Sequence, residues 1–127
     1  MSDVLPIDQL RAESARFGTQ PYLLTQGGDG RPHAVAVSIE WQGDRILTSA
    51  GTRSTANVAA RPLVSLLWPS IEAVGYSLIV DGEGCVIGSG SEVIVSVTPT
   101  RGVLHRPGIS ADSAARGCGS DCIPLLG

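Results

Sequence analysis

Thr52, Arg53 and Ser54 stand between Gly51 and a short helical run that Pro62 ends. Residues of these types at a helix start suit a phosphate. The first N–H groups of a helix have no acceptor within it, the helix dipole leaves partial positive charge there, and a guanidinium adds a full one. The same residues also suit plain helix capping, with Arg53 solvated. Asn57 lies one turn further on. A second group begins at His33. In the run from His33 to Trp41, Val35, Val37, Ile39 and Trp41 alternate with Ala34, Ala36, Ser38 and Glu40. One strand face is therefore bulky and the other nearly bare. A bare face lets a packed helix or a flat ligand ring come close to the backbone. His33, at the start of this strand, is placed either to polarise such a ring or meet its phosphate, or simply to sit at the surface.

Other chemistries find less support. All nine basic residues are Arg, so Schiff-base chemistry through a lysine is excluded. His105, Cys118 and Cys122 offer no clear fourth ligand, so no metal site is expected. Cys85, Cys118 and Cys122 are too few for a disulfide framework. No Ser or Cys sits in a nucleophile elbow with a His and an acid beside it. A net charge of −3 without a basic run argues against nucleic acid or an anionic membrane as partner. No apolar run approaches the roughly 18 residues that span a bilayer, and the acidic N-terminus does not resemble a signal peptide. A cytoplasmic chain is expected.

These residues must be positioned by a β-rich framework. At 127 residues the chain forms one domain, 1–127, able to bury about two-thirds of its unfolded surface. Ile7, Leu10, Ser14 and Phe17 recur at helical spacing, so residues 7–17 read as an amphipathic helix capped by Asp8 and closing one end of a barrel. Tyr22 to Gln26 reads as a strand. Gly27-Gly28-Asp29-Gly30 then turns the chain into the strand from His33 to Trp41. Gln42-Gly43-Asp44 makes the next hairpin, and the strand after it ends at Gly51. Leu63 to Trp68 resumes as a strand beyond the helix, and Ser70 to Gly75 crosses without regular pattern. Gly88-Ser89-Gly90-Ser91 is the last turn, followed by a strand from Glu92 to Thr98 with an extension toward His105. Residues 100–127 are otherwise expected to form an irregular tail.

The stretch around the first group resembles the pyridoxamine 5'-phosphate oxidase-like split barrels, small barrels that bind FMN or a deazaflavin. It carries a small-residue turn with Ser or Thr and a basic residue, Gly51-Thr52-Arg53-Ser54, then Asn57, then Pro62-Leu63-Val64-Ser65-Leu66. The similarity spans roughly Phe17 to Val97. It implies a mainly β fold, a six-stranded antiparallel split barrel with short peripheral helices, acting as a homodimer. It also implies that the strand from Tyr76 is one long bent strand, with Gly82 and Gly84 as bulge positions rather than an Asp81-Gly82 hairpin. Thr52, Arg53, Ser54 and Asn57 would hold the cofactor phosphate. The ring would lie along His33, Val35, Ala36, Val37 and Ser38. The partner copy would complete the site near Tyr76 and Ser77.

The chain departs from the flavin enzymes of that family in carrying fewer basic residues, with His33, Ser38 and Arg53-Ser54 at the matching places. It also lacks the Trp- and Arg-bearing C-terminal substrate motif, so the pyridoxamine phosphate oxidase reaction itself is not implied. Two function classes stay open. One is an FMN- or deazaflavin-dependent oxidoreductase acting on a small-molecule substrate. The other is a non-enzymatic dimer without flavin that holds a small ligand or haem, with His105 or His33 as the haem ligand.

Overall fold

The computed structural model describes residues 5–107 and 120–126. Helix α1 spans Leu5–Phe17 and is followed by strands β1 (Tyr22–Gln26), β2 (Pro32–Ala36), β3 (Ile39–Gln42) and β4 (Arg45–Thr48). Helix α2 (Thr52–Ala60) leads into β5 (Leu63–Trp68), β6 (Ser77–Ile87), β7 (Ile94–Pro107) and β8 (Ser120–Leu126). The strand order is β2-β1-β5-β6-β7-β4-β3, with β8 on β7, and every pairing is antiparallel.

The first and last strands of that order, β2 and β3, are separated by Val37 and Ser38 alone, so the sheet curls back on itself as a split barrel. Val37 N–H donates to the Pro21 carbonyl and Ile39 N–H to that of Thr19, which carries the chain across the gap. The run from His33 to Trp41 is thus one bent path whose pairing passes from β1 to β4. Counting β2 and β3 together gives seven strands rather than the six expected. The seventh is β8, in the stretch read as irregular tail, where β7 also continues to Pro107.

Alternation sorts the side chains. Leu23, Ile46, Leu66, Leu78, Val80, Val95 and Val97 point inward and are fully buried. Their burial supplies most of the stabilisation, about 1.5–3 kcal/mol for each large side chain. Leu10 of α1 and Val58 of α2 join the same core from the two helices. Helix α1 begins at Leu5, two residues before the predicted start, so Asp8 lies in its first turn rather than at its cap. Its inner face is fixed by Trp41, whose indole N–H donates to Ser14 Oγ at 2.9 Å. Trp68 donates in the same way to the Gly18 carbonyl at 2.9 Å, tying β5 to the end of α1.

As the resemblance implies, β6 is one long strand. Its register against β7 shifts between Asp81 and Gly82. A Cβ on Gly82 would stand 2.6 Å from the Thr98 carbonyl oxygen, and one on Gly84 would stand 2.9 Å from Val58 Cγ1. Both positions require glycine, but Gly84, expected as a second bulge, keeps the regular register opposite Val97. Gly88 and Gly90 take positive φ in the turn before β7, where glycine is the residue that accepts it at least cost.

Candidate functional site

Helix α2 starts from an uncapped end. Gly51 occupies the cap position in extended backbone, with φ −69 and ψ 174, and makes no side-chain cap. The hydroxyls expected to cap the helix therefore do not do so. Thr52, Arg53 and Ser54 form the first turn instead, and the first intrahelical bond runs from Thr55 N–H to the Gly51 carbonyl at 2.9 Å. The three N–H groups before it have no acceptor within the helix, and no acidic residue lies in the first turn.

The helix then sorts its side chains by face. Ser54, Asn57 and Val58, at spacings of three and four, point into the protein and are buried. Asn57 Nδ2 donates to Thr25 Oγ1 of β1 at 3.0 Å. Thr52 and Arg53 are exposed, and among the described residues Arg53 has no ion-pair partner. Thr55 Oγ1 donates to the Ala50 carbonyl at 3.3 Å, which closes the turn. At the far end Arg61 N–H donates to the Asn57 carbonyl and Arg61 Nε to that of Gln26, so the C-terminus is held as firmly as the start is open.

Two hollows meet beside this first turn. One, of about 480 Å³, is lined by Ala50, Thr52, Thr55, Ala56, Gly90 and Val93, and the other, of about 290 Å³, by Ser38, Glu40, Leu47 and Ile94. Ser49 lines both. A path therefore runs from the end of the second strand to the helix N-terminus. Ser38 is fixed to that path because its carbonyl accepts from Thr48 Oγ1 at 2.7 Å.

The remaining candidates divide by face. His33 and Val35 lie across from Thr25 and Leu23 and turn inward, half-buried; Val37 is buried. Ala34 and Ala36 lie on the exposed outer face, and the side chain of Ser38 is exposed too. His33 reaches the α2 group through Thr25, its cross-strand partner, which holds Asn57. Ser77 is not brought there within one chain. It sits at the opposite end of β6, across from His105 and next to Tyr76, whose ring lies 4.6 Å from the Arg106 guanidinium carbon.

Sequence reasoning missed Thr25 and Ser49. The spacing of Ser54, Asn57 and Val58 held the signal for an inward helix face, and Asn57 on that face requires a polar partner such as Thr25. Among the described residues no three His, Cys, Asp or Glu side chains group as metal ligands. Cys118 and the side chain of Cys122 lie outside the described residues, whereas Cys85 is an exposed free thiol. No helix of the described residues is long and apolar enough to cross a membrane.

No protein-family model matches the chain. The uncharacterized protein Mb0449c of Mycobacterium bovis is 35% identical over 116 residues, covering 80% of this chain and 82% of its own length. The uncharacterized protein MT0457 of Mycobacterium tuberculosis matches to the same extent. Among solved structures, a pyridoxinephosphate oxidase family protein of Clostridium acetobutylicum, related to general stress protein 26, superposes with TM-score 0.64 at 11% identity. It covers 94% of this chain and 96% of its own. An F420 reductase superposes with TM-score 0.56 at 21% identity over 66% and 88% of the two chains. HutZ, the heme storage protein of Vibrio cholerae, does so with TM-score 0.54 at 16% identity over 71% and 89%. The chain thus belongs to one family with the two mycobacterial proteins, and its fold is that of the pyridoxamine 5'-phosphate oxidase-like split barrels.

Proposed function

We propose that this chain binds FMN through its phosphate at the first turn of α2 and works, as a homodimer, as an oxidoreductase on a small-molecule substrate. The observation that carries this reading is the uncapped helix start, where three N–H groups stand beside an exposed hydroxyl, Thr52, and a guanidinium, Arg53, with no ion-pair partner among the described residues. Such a donor set fits a phosphate. The hollow from Ser49 to Ser38 leads away from it along a strand, which suits a flat ring held at one end.

The cofactor would supply hydride or electron transfer, and the protein binding and orientation. Thr52 and Arg53 hold the anionic end. Ser54 and Asn57 face inward and act by fixing the helix. Ser38 and Ser49 border the ring's path, and a second copy would bring Ser77, which one chain leaves remote. A deazaflavin such as F420 is the alternative ligand, and Arg53 with the N–H groups would meet its phosphate in the same way.

The test is to titrate the full chain separately with FMN, F420 and haem, following fluorescence or absorbance, in the wild type and in Arg53→Ala. A charge-assisted hydrogen bond contributes about 1.5–3 kcal/mol, so the variant should bind FMN at least about tenfold more weakly. Saturable FMN binding that Arg53→Ala leaves unchanged would move the phosphate elsewhere. Binding of haem alone would favour a barrel without flavin, with His33 or His105, both half-buried, as ligand.

A further inference from the structure

The two hollows beside α2 differ in charge. The one at the helix start is lined by hydroxyls and by small or apolar residues, none of them charged, and Arg53 follows Thr52 in the same exposed turn. The one beyond Ser49 has a single charged lining residue, Glu40. Along the path that Ser49 joins, the sign of charge therefore changes once, from Arg53 at the helix to Glu40 at the far end.

Strand alternation places Glu40 there. Ile39 turns into the core, so its neighbours Ser38 and Glu40 turn outward and are exposed. Across the ladder Glu40 stands opposite Leu47, and cross-strand partners share a face, so both line the same hollow. Among the described residues Glu40 has no ion-pair partner. Arg45 lies on the same face of β4 but stands opposite Gln42 and lines neither hollow. The carboxylate thus acts on the path through water alone, which weakens its field without cancelling it.

A negative charge at that end discriminates between ring systems by their charge. The oxidised ring of FMN is neutral at pH 7. A ring with an ionised hydroxyl, such as that of F420, is an anion, and conjugation spreads its charge from the hydroxyl to the carbonyls at the opposite end. The anion is therefore repelled whichever end of the ring meets Glu40, and the neutral ring is not. We propose that Glu40 sets the ring specificity of this site, admitting a neutral flavin and disfavouring a ring with an ionised hydroxyl. The inference rests on the phosphate site at α2 and assigns the far end of the same path.

The test compares FMN with 8-demethyl-8-hydroxy-FMN, whose ring hydroxyl is ionised at pH 7. Both carry the same phosphate, so the ratio of their dissociation constants reports the ring alone. The full chain is titrated with each by absorbance at low salt, as wild type, Glu40→Gln, Glu40→Arg and Asp44→Asn. The wild type should bind the hydroxy ligand about threefold to tenfold more weakly than FMN. Glu40→Gln should bring the two within about twofold, and Glu40→Arg should reverse the preference. Asp44 is exposed in the neighbouring turn and lines neither hollow, so Asp44→Asn removes the same charge and should keep the wild-type ratio. Circular dichroism confirms that each variant is folded, and Glu40→Ala replaces Glu40→Gln if that variant does not fold. A wild type that binds neither ligand overturns the phosphate site and this inference together. If FMN binds, equal affinities in the wild type, or a ratio that the Glu40 variants leave unchanged, overturn the role of Glu40 alone. A ratio that Asp44→Asn shifts as far as Glu40→Gln does so too, since net charge would then be the cause.

Discussion

Asn57 Nδ2 and Thr25 Oγ1 lie 3.0 Å apart, and both side chains are buried. They stand 32 residues apart in sequence, and their bond fixes the rotation of α2 about its axis, which decides that Thr52 and Arg53 face outward. Asn57→Ala leaves the Thr25 hydroxyl without its donor in the interior and should cost about 1–3 kcal/mol in urea unfolding. Thr25→Val should cost a similar amount. The double variant should lose less than the sum of the two, because the second change removes the group that the first left unpaired. Strictly additive losses would show that the pair does not act as a unit.

Gly51→Asp should move stability and binding in opposite directions. The backbone of Gly51 already has the extended conformation of a helix cap, and a Cβ there meets no atom within 4 Å. A carboxylate at this position would accept from the free N–H groups and meet the positive end of the dipole, adding about 0.5–1 kcal/mol of stability. It would also occupy and repel the phosphate. Thermal unfolding should rise while FMN affinity is lost. Affinity that survives the change would place the phosphate away from this turn.

The legibility of these features in the sequence follows from how local their causes are. Tyr22–Gln26 and Leu63–Trp68 were readable to their ends because glycine or proline bounds each strand. The break at Val37 and Ser38 was not, since the strand changes partner there and no local residue type marks the change. Strand β8 was hidden by Pro124, which an edge strand tolerates, and among the described residues β8 pairs on one side alone, with β7. At the site, hydroxyls before a helix read as caps, yet Gly51 took that position and Ser54 turned inward. Polar residues on an inward face look the same in sequence as polar residues on a solvent face. Only the partner, Thr25, separates the two, and it is contributed by another element.

Trp41 couples α1 to the barrel through two interactions. Its indole N–H donates to Ser14 Oγ, which itself donates to the Arg11 carbonyl at 2.8 Å, and the Arg11 guanidinium carbon lies 5.4 Å from the ring centre. Trp41→Phe keeps a ring but loses the donor and part of the cation contact, and should cost about 1–2 kcal/mol. The loss should appear as easier proteolysis of residues 5–17, with FMN affinity unchanged, because α1 does not line the path beside α2. A parallel loss of affinity would mean that the helix contributes to the site.

Gly82→Ala and Gly84→Ala should differ in kind, although both crowd the same strand. The new methyl at position 82 would meet the Thr98 carbonyl oxygen at 2.6 Å and Val97 Cγ1 at 2.7 Å, and a paired backbone cannot yield without breaking the ladder. About 2–3 kcal/mol should be lost, with no selective effect on ligand. At position 84 the methyl would meet Val58 Cγ1 of α2 at 2.9 Å, and the helix can shift to relieve it. A smaller stability loss, about 1 kcal/mol, should then come with weaker FMN binding, because the shifted helix carries its N–H groups away from the Ser49 path. Urea unfolding together with FMN titration on both variants distinguishes the two effects. Equal losses of affinity in both would mean that α2 is not the element that sets the phosphate position.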